Sequence, residues 1–226
     1  MISIGLNQRF HARYHVPCHA PSLNIMLDRF ATKLLRPPVH AAARVLARAG
    51  ASANGITLFG FAIGVGAALA IALGAYASGA ALILLSRLCD ALDGAVARQT
   101  KATDAGGFLD IALDFLFYAS IPLAFAIASP ADRALPAAAL LAAFMGTSSS
   151  FLAFASLAAK RGMSNAALPD KSIYFLGGLT EATETLAVFL AMCLWPHYFA
   201  PISYGFALLC SITTASRIWW GWRAFQ

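Results

Sequence analysis

CDALDGAVARQTKATDAGGFLDIALD, residues 89–114, sets four aspartates inside two stretches that otherwise read as apolar helices. Asp90 and Asp93 are three residues apart, Asp110 and Asp114 four apart. The rest of the chain makes them conspicuous. Its 226 residues are 60% hydrophobic and 12% charged, with a mean hydropathy of +0.71. Soluble domains are about half apolar and about a quarter charged, so this composition belongs to the membrane class. An aspartate at mid-span costs about 2.5–3.5 kcal/mol to insert, and four bare ones on the order of 10 kcal/mol. Such groups persist only if protonated, paired with cations or lining water.

A bilayer core about 30 Å thick needs about 20 helical residues. Six such stretches follow one another, at residues 56–76, 79–98, 105–129, 135–159, 174–195 and 198–219. A backbone in lipid must satisfy its own hydrogen bonds. The expected fold is therefore an all-α integral membrane protein, with six transmembrane helices forming one domain over residues 51–226. The second and third stretches are expected to fail a strict hydropathy cut because of their aspartates.

Residues 22–50 carry Arg29, Lys33, Arg36, His40 and Arg44 at helical intervals, with Met26, Phe30, Leu34, Leu35 and Val39 forming an apolar side. This is the pattern of an amphipathic helix lying in the membrane interface; a soluble-facing helix packed on the bundle is the alternative. Pro37 and Pro38 are expected to break or kink it. Residues 1–21 read as a flexible polar tail without the apolar core of a signal peptide. His11, His15, Cys18 and His19 have neither the spacing nor the ordered element of a metal site. Cys18, Cys89, Cys193 and Cys210 show no paired spacing and are expected as free thiols.

The formal net charge is +6. The bases from Arg9 to Arg48 face a single acid, Asp28, before the first apolar run. With no recognition motif beside them, they indicate attraction to an anionic membrane face and no nucleic-acid partner. Lys101, Lys160, Arg161 and Lys171 follow the second and fourth spans, whereas the opposite loops carry only Arg133, beside Asp132. The positive-inside rule then sets both termini in the cytoplasm.

A helix turns about 100° per residue, so each aspartate pair projects from one face. The short link around residues 99–105 makes the two helices antiparallel neighbours, with both pairs at one depth near the cytoplasmic surface. Arg87 and Arg98 are too few to neutralise four acids. Hard oxygen ligands select Mg²⁺, Mn²⁺ or Ca²⁺, and two such ions held close together suit phosphoryl transfer. Gly94, Ala97, Gly106 and Gly107 leave space beside the acids, either for a ligand or for close helix packing.

Asp90-Ala-Leu-Asp93-Gly94-Ala-Val-Ala97-Arg98 and Gly106-Gly-Phe-Leu-Asp110-Ile-Ala-Leu-Asp114 together resemble the signature of the CDP-alcohol phosphatidyltransferases, D-x2-D-G-x2-A-R-x8-G-x3-D-x3-D. Here seven residues, not eight, separate Arg98 from Gly106, and the deletion falls in the turn. SANGIT, residues 52–57, is similar to the family's polar entry to its first span. The resemblance implies two divalent cations, Mg²⁺ or Mn²⁺, held by Asp90, Asp93, Asp110 and Asp114. It implies a CDP-linked lipid donor such as CDP-diacylglycerol, with Gly94, Ala97, Arg98 and Gly106 lining its nucleotide pocket. Asp114 is the implied catalytic base toward an acceptor alcohol, with release of CMP. A homodimer in a bacterial cell membrane, with its active site near the cytoplasmic face, is implied as well.

Other polar residues lie in the last three spans. Lys171 and Arg217 could hold an anionic acceptor, or Arg217 could pair with Glu181 or Glu184. The run Thr147–Ser150 is expected to bond backbone carbonyls. The basic residues near these spans tilt the expected acceptor toward a phosphorylated or anionic alcohol. An ion- or proton-coupled transporter is the alternative function, because intramembrane acids also mark ion pathways. The inverted repeats and interrupted helices common in such carriers are not apparent in the sequence.

Overall fold

Two glycines and two hydroxyls set where the helices begin and end. The computed structural model describes residues 26–161, 180 and 182–226, with side chains from residue 37 onward in the first helix. All regular elements among the described residues are helical. Helix α1, Met26–Arg48, is followed by Gly50 at φ +81°. Helix α2, Ala53–Ala72, starts at Ser52, whose Oγ accepts from the Gly55 amide at 3.1 Å. Past its end, Gly74 adopts φ +79°, a left-handed conformation that glycine takes without steric cost. The chain then reverses into α3, Tyr76–Gln99. Thr103 caps α4, Asp104–Ala128, accepting from the Gly106 amide at 3.1 Å, and Asp104 in the first turn complements the helix dipole. Helix α5, Pro130–Lys160, opens on a proline, a residue suited to the first turn because its missing N–H has no partner there. Helix α6, Ala182–Leu194, a 3-10 turn at Pro196–Tyr198, and α7, Phe199–Phe225, complete the described chain.

Short connections send α2, α3 and α4 up and down in turn, and α2 packs on both α3 and α4. Lipid tails are as apolar as the side chains, so close packing and interhelical hydrogen bonds hold such helices together. Gly60 lets α2 lie on α3: a Cβ there would fall 2.7 Å from Cys89 Cβ. At Gly64 it would fall 2.6 Å from the Phe117 ring of α4. Ser86 Oγ donates to the Gly60 carbonyl at 2.8 Å across the α2–α3 seam. Phe117, Phe125, Phe189 and Phe199 are fully buried. Helix α5 packs on α4 and α7, α6 on α3, and α1 on α3.

Among the described residues, four helical segments are long and apolar enough to cross a membrane: Ala53–Ala72, Asp104–Ala128, Pro130–Lys160 and Pro196–Phe225. The α4 segment therefore meets the hydropathy criterion it was expected to fail, because the apolar run beyond Asp114 outweighs its acids. Helix α3, which carries Arg87, Asp90, Asp93 and Arg98, does not meet it. The described part of the fifth span is the 13 residues of α6. The start of that span lies outside the described residues, as do the tail and Cys18.

Pro37 and Pro38 do not end α1, which runs through both. Beyond the prolines, Ala43 is buried with Ala95 and Val96 of α3, and Val39, Leu46 and Ala47 pack against them. Tertiary packing supports the helix after the point where local propensity would stop it. Tyr76, expected at the end of the first span, instead opens α3 and stacks on Phe125 at 5.5 Å. Cys89, Cys193 and Cys210 are buried free thiols, as expected.

Candidate active site

The turn at residues 100–103 reverses the chain from α3 into α4, and α2, packed on both helices, brings acids of the two pairs to one cleft. One carboxylate oxygen each from Asp90, Asp93 and Asp110 lie within 4.8 Å of one another. The cluster is graded in depth: Asp93 is 5% exposed, Asp90 half-buried and Asp110 exposed. Asp93 Oδ2 is buried with no hydrogen-bond partner. A buried carboxylate oxygen left this way is costly, and a cation is the partner that would remove the cost. Hard oxygen donors from two rigid helices, one of them unsatisfied, fit Mg²⁺ or Mn²⁺.

Asp114 lines the same cleft, yet its carboxylate is not among the three. Arg87, one turn before Asp90 on α3, holds it. The Arg87 guanidinium donates from Nη1 to Asp114 Oδ1 and stands 3.5 Å from Asp90 Oδ1. Its carbon lies 4.0 Å from the centre of the Phe117 ring and 5.7 Å from that of Tyr118. These contacts fix the guanidinium between the acids and the aromatic core. Thr57 and Gly60 of α2 contribute to the cleft wall.

The remaining motif residues lie at the same end of the bundle. Arg98 folds back over Gly94, where an added Cβ would meet its Nη1 at 3.4 Å. Ala97 is half-buried one turn from Asp93. Gly106 faces α2: a Cβ there would come within 2.8 Å of Asn54 Oδ1 and 3.1 Å of Thr103 Oγ1. A Cβ on Gly107 would meet nothing within 4 Å. The close approach therefore belongs to Gly106, the glycine that keeps the motif's spacing to Asp110.

Arg217 is 8% exposed on α7, donates to the Thr147 carbonyl of α5 at 3.2 Å and lies 5.8 Å from the Phe151 ring. It is not among the side chains lining the carboxylate cleft. Lys171 and Glu181 fall outside the described residues, and Glu184 sits in the first turn of α6. The hydroxyls of Thr147, Ser149 and Ser150 donate to the carbonyls of Phe144, Gly146 and Thr147, as expected. Sequence reasoning did not single out Asn54, Thr57 or Gly60 as site residues. The signal available was helical spacing: Thr57, Gly60 and Gly64 recur on one face of α2, and that face meets α3 and α4.

Residues 51–219 match the CDP-alcohol phosphatidyltransferase family. The chain is 52% identical over 197 residues to the inner membrane protein YnjF of Escherichia coli, an alignment spanning 87% of this chain and 96% of that one. It is 48% identical over 65 residues to the archaetidylinositol phosphate synthase of Methanothermobacter thermautotrophicus, 28% of this chain and 33% of that protein. The fold is shared with the phosphatidylinositol phosphate synthase of Mycobacterium tuberculosis. Its manganese and citrate complex superposes with a TM-score of 0.64 at 24% identity, covering 81% of this chain and 88% of that one. Its CDP-DAG complex gives a TM-score of 0.62 at 23% identity, covering 81% and 93%. The chain belongs to the CDP-alcohol phosphatidyltransferase family, a divalent-cation-dependent family of phospholipid-synthesis transferases. It is an integral membrane protein of a bacterial inner membrane.

Proposed function

We propose that this chain transfers a phosphatidyl group from CDP-diacylglycerol, or a similar CDP-linked lipid, to a phosphorylated or anionic alcohol, releasing CMP. The observation that carries this reading is the convergence of Asp90, Asp93 and Asp110 oxygens within 4.8 Å at one end of the bundle. Asp90, Asp93, Asp110 and, once released from Arg87, Asp114 would hold two divalent cations. Bound there, the cations supply positive charge against the donor's diphosphate.

The protein's own groups divide the remaining work. Gly94, Ala97 and Gly106 keep the cleft mouth open to the nucleotide, and Arg98 pairs with its phosphates. Asp114 accepts the proton of the acceptor hydroxyl as that oxygen attacks the phosphorus bearing the lipid. The bond from phosphorus to the CMP oxygen breaks, and CMP leaves. Holding acceptor and donor in line on two rigid helices supplies much of the rate. Arg217 and Lys171 are candidates for the acceptor's anion. The archaeal relative, an archaetidylinositol phosphate synthase, favours an inositol phosphate in that role.

In the membrane, α3 and the segment containing α6 complete six spans within a catalytic unit over residues 51–226. Residues 26–50 lie along the cytoplasmic surface. Both termini and the cleft face the cytoplasm, and the chain works as a homodimer. Family membership favours transfer over ion-coupled transport.

The test is CMP release by purified protein supplied with CDP-diacylglycerol, Mn²⁺ or Mg²⁺, and a panel of alcohols that includes inositol phosphate and glycerol phosphate. Release is expected to need both the metal and one acceptor class. A protein that releases no CMP with any acceptor, yet makes proteoliposomes ion-permeable, would be a carrier.

A further inference from the structure

The sequence reading grouped four aspartates as equivalent ligands, but the fold splits them three to one. Asp90, Asp93 and Asp110 bring oxygens within 4.8 Å of one another. Asp114 is tied instead to Arg87, which also lies 3.5 Å from Asp90. Arg87 is wedged: its side chain is 14% exposed and its guanidinium sits 4.0 Å from the Phe117 ring centre. An arginine keeps its charge under all ordinary conditions, so it can leave Asp114 only by moving. Its hold is also incomplete, because Arg87 Nε is buried with no hydrogen-bond partner. A buried donor left unsatisfied costs free energy, which lowers the barrier to exchanging this arrangement for another.

Charge decides what that exchange does. Four carboxylates facing one guanidinium leave three negative charges in a cleft walled by apolar helices. One divalent ion offsets most of them. A second, with Arg87 still in place, would carry the site past neutrality, and excess buried charge of either sign is costly. The imbalance disappears if an anion such as a diphosphate arrives with the second ion.

We propose that Arg87 gates the second cation. It holds Asp114 away from the three-oxygen cluster, so that the donor-free protein takes up one divalent ion. Asp114 transfers from Arg87 to the second ion only when a diphosphate binds. This rests on the reading of the aspartates as cation ligands. Arg87 acts here as a positioning residue that orders the loading of the site and releases the base Asp114 only in the presence of donor.

The test counts ions and does not depend on turnover. Purified wild-type protein in detergent is titrated with Mn²⁺, followed by its electron paramagnetic resonance signal, with and without cytidine diphosphate as the diphosphate probe. Wild type is expected to bind one Mn²⁺ per chain alone and two, magnetically coupled, with the probe. Arg87→Gln is expected to bind two without it. Arg87→Lys, which keeps the charge, is expected to stay at one. Two Mn²⁺ per chain in wild type without the probe would overturn the gate while leaving the metal reading intact, as would one per chain under both wild-type conditions. No Mn²⁺ uptake by any variant would remove the gate and the metal reading together. Because wild type with and without the probe decides the question, poor folding of Arg87→Gln leaves the test standing.

Discussion

The start of α5 and the middle of α3 each hold an arginine among aromatic rings, and the two are treated in opposite ways. At the end away from the aspartates, Arg133 donates to the Tyr76 hydroxyl at 2.6 Å and to the Pro196 carbonyl at 3.0 Å. Its guanidinium lies 5.4 to 5.9 Å from the ring centres of Tyr76, Phe125 and Phe199. Those rings stack on one another, Phe125 on Phe199 at 4.7 Å. This arginine ties the starts of α3 and α5 to the turn before α7. In the middle of α3, Arg87 meets more negative charge than it can neutralise, and both it and Asp93 keep a buried polar atom without a partner. Polar groups that find matched partners hold a fold together. Polar groups left short of partners in a rigid setting are poised for a ligand.

The largest change should come from Asp93→Asn. It removes the proposed cation ligand at the deepest point of the cluster, and CMP release should fall at least about 100-fold. Thermal unfolding of the metal-free variant should occur at the same or higher temperature, since a buried unpaired charge has gone. A lower unfolding temperature with activity retained would make Asp93 a structural group like Arg133. The converse test is Arg133→Leu. It strands the Tyr76 hydroxyl and the Pro196 carbonyl and should cost about 2–3 kcal/mol in detergent unfolding, while CMP release per folded molecule stays unchanged. Loss of turnover there would erase the contrast between the two arginines.

Smaller effects sharpen it. Gly60→Ala pushes a methyl group into Cys89 Cβ, with 2.7 Å available. It should cost about 1–3 kcal/mol and also slow CMP release, because α3 carries Asp90 and Asp93. The slightest effect should come from Gly107→Ala, which meets nothing within 4 Å. Replacing a helical glycine there should raise stability by up to about 1 kcal/mol. Gly106→Ala, facing Asn54 Oδ1 at 2.8 Å, should lower it. Equal unfolding temperatures for these two variants would show that the turn does not distinguish the glycines.

The sequence by itself determined the membrane class, the helical character and the antiparallel placement of α3 and α4. Composition, apolar run length and a four-residue link between helices are local properties that need no partner to be read. It also determined which carboxylates share a face, because three- and four-residue spacing on a helix is geometry. The path of α1 through Pro37 and Pro38 was not legible, since packing of Ala43 on Ala95 and Val96 involves residues far apart in the chain. The same holds for the division of the aspartates. All four are alike in spacing and type, and only the docking of α3 and α4 on α2 sets Phe117 under Arg87 and directs Arg87 to Asp114. Periodicity states which way a side chain leaves its own helix. Which charge it meets depends on the rotation and depth of the neighbouring helix, and the contacts of the whole bundle fix those.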